Sequence, residues 1–191
     1  VLTSRIAHII KKNKAFPNQI LAVTFTNKAA KEMQLRVSKL LRKDATGLPW
    51  LGTFHSISAK LLRKHADAVG LKSNFSIIDQ DDQVRLIKNI CKAENVDIKK
   101  ISPKFILAII DKWKNKGFYP QDVILKRKDP LEKNFLSIYK IYQEKLVNLN
   151  SADFSDLILH TLKIFEKYTD IAELYSKNFK YILVEIGRAH V

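Results

Sequence analysis

Apolar side chains recur at Leu2, Ile6, Ile9 and Ile10, a helical spacing that predicts a helix from the first residues onward. Residues 20–25 form a short continuous apolar run, as buried parallel strands show. A helix is predicted over residues 27–43, where Ala30, Met33, Val37, Leu40 and Leu41 make one apolar stripe. Gly47 and Pro49 mark a turn, and residues 50–54 read as a second strand. A helix over residues 56–69 follows, with Ile57, Leu61 and Leu62 inward and Gly70 at its end. Residues 75–78 read as a third strand. Strand, helix, strand, helix, strand is the pattern of a parallel sheet covered on both faces.

From Asp79 onward the spacing becomes helical. Asp79 can cap a helix running to about Ala93, and Ser102-Pro103 opens another that Gly117 stops. Asp129-Pro130 opens a third, with Leu131, Phe135, Ile138, Ile141, Tyr142 and Leu146 at helical spacing. Strand signals return only at residues 181–184. The fold class expected is therefore α/β, a parallel sheet interrupted by an all-helical insertion and then resumed. There is no internal repeat and no low-complexity linker.

Composition narrows the function classes. Apolar residues make up 46% of the 191 residues and charged ones 28%, too apolar for a disordered tail. No apolar run approaches the ~20 residues needed to span a bilayer. The single cysteine, Cys91, excludes a disulfide scaffold and a cysteine-rich zinc site, and suits a reducing, cytoplasmic setting. The formal charge of +15 points to a polyanionic partner. It is unevenly spread: residues 1–75 hold 14 basic side chains against 3 acidic ones, and residues 76–191 hold 20 against 16.

Two strand-to-helix corners fall in that basic segment. At Thr24-Phe25-Thr26-Asn27-Lys28, a sheet's carboxyl edge meets a helix N-terminus, where open parallel sheets bind ligands and free backbone N–H groups attract phosphate. Phe25 can stack on a base and Lys28 can pair with a phosphate. On spacing alone the simpler reading is that Thr26 or Asn27 serves only as a helix cap and Phe25 as core. Gly52-Thr53-Phe54-His55-Ser56 repeats the geometry, with Gly52 allowing close approach and Thr53, His55 and Ser56 offering donors. No Gly-x-Ser-x-Gly elbow surrounds Ser56, which argues against a hydrolase triad. Asp153-Phe154-Ser155-Asp156 begins a helix; capping by Asp153 and dipole complementation by Asp156 is the simpler reading beside a metal or catalytic one. The five histidines lack metal-ligand spacing, Lys126-Arg127-Lys128 reads as a solvated loop or a DNA-backbone contact, and Trp50 and Trp113 read as packing residues. No Gly-x-x-x-x-Gly-Lys-Thr phosphate loop is present, and no metal site is expected.

Several of these segments carry a family resemblance. Thr24-Phe25-Thr26-Asn27-Lys28-Ala29-Ala30-Lys31-Glu32-Met33 closely matches the motif known as Ia of UvrD/Rep/PcrA-type superfamily 1 DNA helicases, and Gly52-Thr53-Phe54-His55-Ser56 is similar to their next DNA-contacting motif. Residues 74–79 and 153–158 resemble later segments in the same order. Residues 1–6 resemble the helix after that family's phosphate loop, and residues 181–184 the strand leading to its Mg-binding Asp-Glu pair.

The resemblance implies an ATP-driven motor that translocates 3′ to 5′ on single-stranded DNA and unwinds duplex, with ATP and Mg²⁺ as cofactors. It implies a P-loop NTPase (RecA-like) sheet, incomplete here. Residues 1–80 and 150–184 would belong to the first motor domain, 1A, and residues 81–149 to the helical 1B insertion that meets duplex junctions. By matching motif, Phe25, Thr26, Asn27, Thr53, Phe54, His55 and Ser56 are expected to face the single strand. Two further readings stay open: an ATP-independent single-strand-binding module on the same scaffold, and the helicase part of a helicase–nuclease.

The departures from the family bear on activity. The phosphate-loop Lys and Thr (Walker A) would lie upstream of Val1. The first metal carboxylate would fall at Glu185, where the family has Asp followed by Glu and this chain has Ile186 next. Residues 186–191 are what a widely used sequencing-adapter sequence encodes in one reading frame, so residues 185–191 are expected to be a scar that cuts into the Walker B motif. The chain as given is expected to lack ATPase activity and to contain no catalytic residue of its own.

Overall fold

A computed structural model describes residues 2–41, 47–96, 101–125 and 130–185. The chain divides into two compact units, Val1–Lys60 with Phe165–Val191, and Leu61–Ile164.

The first unit is built on parallel strands. The helix α1 (Leu2–Lys11) leads to β1 (Ile20–Thr24), then α2 (Asn27–Leu41), β2 (Leu51–Thr53) and the start of α3 (Phe54–Lys64). The chain returns at the end of α7 (Phe154–Lys167), followed by α8 (Thr169–Asn178) and β5 (Tyr181–Glu185). The sheet order is β2-β1-β5, all parallel, with Ala22 opposite both Leu51 and Leu183. β1 lies in the middle, which is why its apolar run is continuous: Ile20, Ala22 and Val23 are all buried. Ile6 of α1 and Met33 and Val37 of α2 close over Ala22, with Leu48 beside them. The predicted α2 stripe holds for Ala30, Met33 and Val37, whereas Leu40 at its end is exposed. Trp50 is buried with its ring edge-on to Tyr175 and Phe179, which anchors α8 beneath β2.

The second unit is mainly helical: the rest of α3, α4 (Gln80–Ala93), α5 (Pro103–Lys114), α6 (Pro130–Asn148) and most of α7. Asp79 accepts from the Asp82 amide at 2.9 Å and caps α4, and Ser102 accepts from the Phe105 amide at 3.2 Å and caps α5, as their positions predict. Gly117 after α5 has φ +80, a left-handed conformation that suits glycine. Ile87, Ile90, Ile106, Ile110, Phe135, Ile138 and Leu146 form one core. Leu131, expected on the α6 stripe, is exposed. Asp129 and Lys126-Arg127-Lys128 lie outside the described residues, as do residues 186–191.

One strand assignment is corrected. The segment 75–78 does not extend the main sheet: its strand, β3 (Ser76–Ile77), pairs in parallel with β4 (Ser151–Ala152) as a separate two-stranded sheet. That pairing ties residues 150–152 to the helical unit. The compact units divide at Lys60/Leu61 and Ile164/Phe165.

Candidate nucleic-acid interface

In the first unit, register decides what lies together. Thr24 is the Cα partner of both Thr53 and Glu185, so the carboxyl ends of β2, β1 and β5 finish in one row. Both strand-to-helix corners therefore share an edge of the sheet.

At the β1–α2 corner, Thr24 is buried and Phe25 turns outward, 62% exposed. Phe25 is thus not core. Thr26 is the N-cap of α2: its Oγ1 accepts from the Ala29 amide at 3.1 Å, worth about 1 kcal/mol for such a cap. Asn27 begins the helix and is exposed, as are Lys28 and Lys31 one turn on. No acidic residue occupies the first turn of α2, so its N-terminal dipole is uncompensated by side chains of the helix itself.

The β2–α3 corner is a tighter device. The Ser56 amide donates to Thr53 Oγ1 at 3.1 Å, while the Thr53 amide donates to Ser56 Oγ at 2.9 Å. This is a reciprocal capping box with serine in the third helical position. The Ser56 hydroxyl in turn donates to the Thr53 carbonyl at 3.0 Å. Gly52 makes room for it: a Cβ there would lie 2.5 Å from Ser56 Oγ. The close approach that glycine permits is therefore used by Ser56. Thr53 is buried, so of the residues expected to face a strand it is the one whose side chain turns inward; Phe54 and His55 are half-buried and Ser56 is exposed.

The two corners meet through their aromatic rings. Phe25 and Phe54 lie 5.1 Å apart between centroids at an interplanar angle of 51°. Phe54 supports Phe25 from the side and leaves its outer face open. At the other end of β2, Lys60 of α3 donates to the Pro49 carbonyl at 2.6 Å with its ammonium over the Trp50 ring.

Glu185 closes the row at the end of β5, beside a cleft lined by Thr3, Ala29, Glu32 and Arg36. Glu32 and Arg36 form an ion pair within α2. Among the described residues, no group of three or more His, Cys, Asp or Glu can hold a metal ion. In the sequence Ile186 follows Glu185, and no Gly-x-x-x-x-Gly-Lys-Thr phosphate loop occurs in it.

The second unit holds a cluster that the sequence reading saw only in part. Asp153 and Asp156 cap α7 reciprocally: the Asp156 amide donates to Asp153 Oδ1 at 2.9 Å, and the Asp153 amide to Asp156 Oδ2 at 3.2 Å. The capping reading of this pair is correct, but both carboxylates are also buried against Lys114. Its Nζ lies 2.6 Å from Asp153 Oδ2 and 2.7 Å from Asp156 Oδ1, with all three side chains out of solvent. Tyr142 donates its hydroxyl to Asp153 Oδ2 and Gln143 its amide to Asp156 Oδ1. Burial alone pushes Asp156 up and Lys114 down, but their mutual attraction outweighs it, holding Asp156 below and Lys114 above its ordinary value. Burial, and then the Asp156 charge, push Asp153 up. Lys114 carries no local signal in the lysine-rich run Asp111-Lys112-Trp113-Lys114-Asn115-Lys116; only tertiary burial distinguishes it.

Comparison with known proteins is consistent with the motif resemblance. Over 188 residues the chain is 44% identical to a probable DNA helicase II homolog of Rickettsia conorii, covering 97% of this chain and 28% of that protein. It is 43% identical over 188 residues to the corresponding Rickettsia felis protein, and 40% identical over 185 residues to ATP-dependent DNA helicase PcrA of Staphylococcus epidermidis. The PcrA match covers 97% of this chain and 25% of that protein, so the chain spans only about a quarter of its relatives' length. No described helix is long and apolar enough to cross a membrane. Residues 1–185 match the UvrD/REP helicase N-terminal domain, and the chain belongs to that family.

Proposed function

We propose that the carboxyl edge of the three-stranded sheet is a track for single-stranded DNA, and that the whole protein moves along it by hydrolysing ATP. The observation that carries this reading is the register of Thr24 opposite Thr53, which sets the two corners side by side, with Phe25 exposed and braced by Phe54. Aromatic rings stack on bases regardless of sequence, and lysines and helix N-termini take phosphates. In this reading Phe25 stacks on a base. Thr26, Asn27, His55 and Ser56 meet the backbone through side chains or amides, while Thr53 and Phe54 hold the surface in shape.

The helicase names of the relatives support ATP-driven unwinding by the whole protein; Mg²⁺ as the metal partner of ATP and a cytoplasmic setting belong to the same proposal. Movement in the 3′ to 5′ direction belongs to the same proposal. Residues 1–80 and 150–184 are then a RecA-like P-loop NTPase domain, and residues 81–149 a helical insertion that meets duplex junctions. In this proposal residues 1–191 bind DNA without turning over ATP, because their sequence has neither the phosphate-loop lysine nor the paired carboxylates that phosphoryl transfer requires.

Fluorescence anisotropy with labelled oligo(dT), run beside an ATPase assay, tests both halves. The expected result is binding that falls steeply between about 50 and about 200 mM salt, with no ATP turnover above a mock preparation. Binding insensitive to salt, or measurable ATP turnover by this chain, contradicts the proposal.

A further inference from the structure

The opposite edge of the same sheet, where β1 and β5 begin, carries basic charge that the proposed track does not use. Lys11, Lys12 and Lys14 follow one another at the end of α1, and all three are exposed. There α1 closes in a Schellman motif: the Lys14 amide donates to the Ile9 carbonyl and the Asn13 amide to the Ile10 carbonyl, both at 3.0 Å, with Asn13 left-handed at φ 52. Cations suit a helix C-terminus, and that alone would account for lysines at this place. It does not account for Phe16, which is 71% exposed, more than Phe25.

The backbone under Phe16 is fixed. Its φ of −75 and ψ of 156 are the extended values that a following proline, Pro17, favours. The Phe16 amide donates to Gln19 Oε1 at 3.1 Å, and its carbonyl accepts from the Gln19 amide at 2.9 Å. The turn is stapled to the far end of the chain, because Asn178 Nδ2 donates to the Asn18 carbonyl at 3.2 Å and the Lys180 amide to the Gln19 carbonyl at 2.9 Å. Those two bonds bring Lys180, also exposed, to the turn that carries Phe16. Residues 11–19 hold no acidic side chain, and Glu173 of α8 is already paired with Lys177 at 2.8 Å.

We propose that this amino edge is a second contact for single-stranded nucleic acid, with Phe16 stacking on a base and Lys12, Lys14 and Lys180 meeting the flanking phosphates. Lysine is depleted where proteins bind one another, whereas lysines around an open aromatic ring suit a strand whose bases are free to stack. The rigid turn presents the ring already ordered, so binding a base costs little further entropy. The five residues of β1, at about 3.3 Å each, put this edge roughly 15 Å from the corner at Phe25. The two contacts are therefore separate, and this one does not rest on the track.

NMR titration of residues 1–191 with oligo(dT) of about eight nucleotides tests it, with an oligo-glutamate peptide of matching charge as the second probe. Saturable shifts are expected on the Phe16 ring and on the Lys12, Lys14 and Lys180 amides, weakening as salt is raised. Phe16→Ala is expected to raise the midpoint of the lysine shifts at least about fivefold while the Phe25 midpoint and the Tm stay unchanged. Phe16 and these lysines unmoved at saturating oligo(dT), or a midpoint unaltered by Phe16→Ala, overturns the contact. Equal midpoints for oligo-glutamate and oligo(dT) overturn it as well, because the surface then reads charge alone and fits an acidic peptide equally. Shifts at Phe16 with none at Phe25 uphold this contact and remove the track; the reverse removes only this contact.

Discussion

The rings of Phe25 and Phe54 pack 5.1 Å apart, although each residue follows the end of a different strand. The contact exists because β1 and β2 are parallel and in register at Thr24 and Thr53, so each phenylalanine leaves the sheet at the same level. One ring is braced and half-buried; the other is 62% exposed. An exposed phenylalanine gains little from folding, and in the proposed interface its open ring has a base to stack on.

Replacing Phe25 with Ala is expected to weaken oligo(dT) binding by ~1–3 kcal/mol, the loss of one base–aromatic stack. Thermal stability should change little, because the ring is mostly in solvent. Anisotropy and a melting curve on the same preparation check both. An unchanged affinity in a variant of unchanged Tm removes Phe25 from the interface.

Gly52→Ala is expected to act on folding first. The added methyl meets Ser56 Oγ at 2.5 Å and pushes apart the capping box between Thr53 and Ser56. Strain of this kind costs ~1–3 kcal/mol, measured as a fall in the urea midpoint. Ser56→Ala combined with Gly52→Ala should be less than additive, because the clash partner is gone.

Lys114→Met leaves two buried carboxylates without their cation and is expected to destabilise the chain by ~3–5 kcal/mol. Urea denaturation of the variant beside Lys112→Met, an exposed neighbour expected to change stability little, separates burial from charge.

The same cluster fixes a pH dependence. Asp156 is held below its ordinary value of 3.8 in the folded chain, so its contribution is complete above 3.8 and disappears as pH falls through the lower folded value. His160 is shifted downward from 6.5, so the unfolded chain binds more protons below that value. Its contribution is complete above 6.5 and is lost as pH falls below it. Acid unfolding followed by circular dichroism should therefore show loss of stability beginning below about pH 6.5, and His160→Asn should remove that first part while leaving the carboxylate part in place.

What could be read from the sequence was what is decided locally. Asp79 and Ser102 cap their helices because a side chain reaches an amide three residues on, and that spacing is written in the chain. The buried run of β1 was legible for the same reason, whereas spacing alone left Phe25 open between core and surface. Pairing between distant segments was not. The segment Phe75-Ser76-Ile77-Ile78 reads as a strand but says nothing of its partner, and Ser151-Ala152, which supplies it, is too short to carry a period. Thr53 reads as a donor to a ligand, yet its hydroxyl faces Ser56, a choice set by the absence of a Cβ at Gly52. Lys114 and His160 carry no signature in the sequence, because burial between helices leaves no mark on spacing. Helix α8 went unpredicted because only Tyr175 of its ten residues is buried.

The central claim is that the row of strand ends at Thr53, Thr24 and Glu185 carries the single strand. NMR titration of the labelled chain with oligo(dT), read residue by residue, tests it most directly. The largest shifts are expected on Phe25, Thr26, Asn27, Phe54, His55 and Ser56, diminishing as salt is raised. Shifts confined to other surfaces, with these six residues unmoved at saturating oligo(dT), would contradict it.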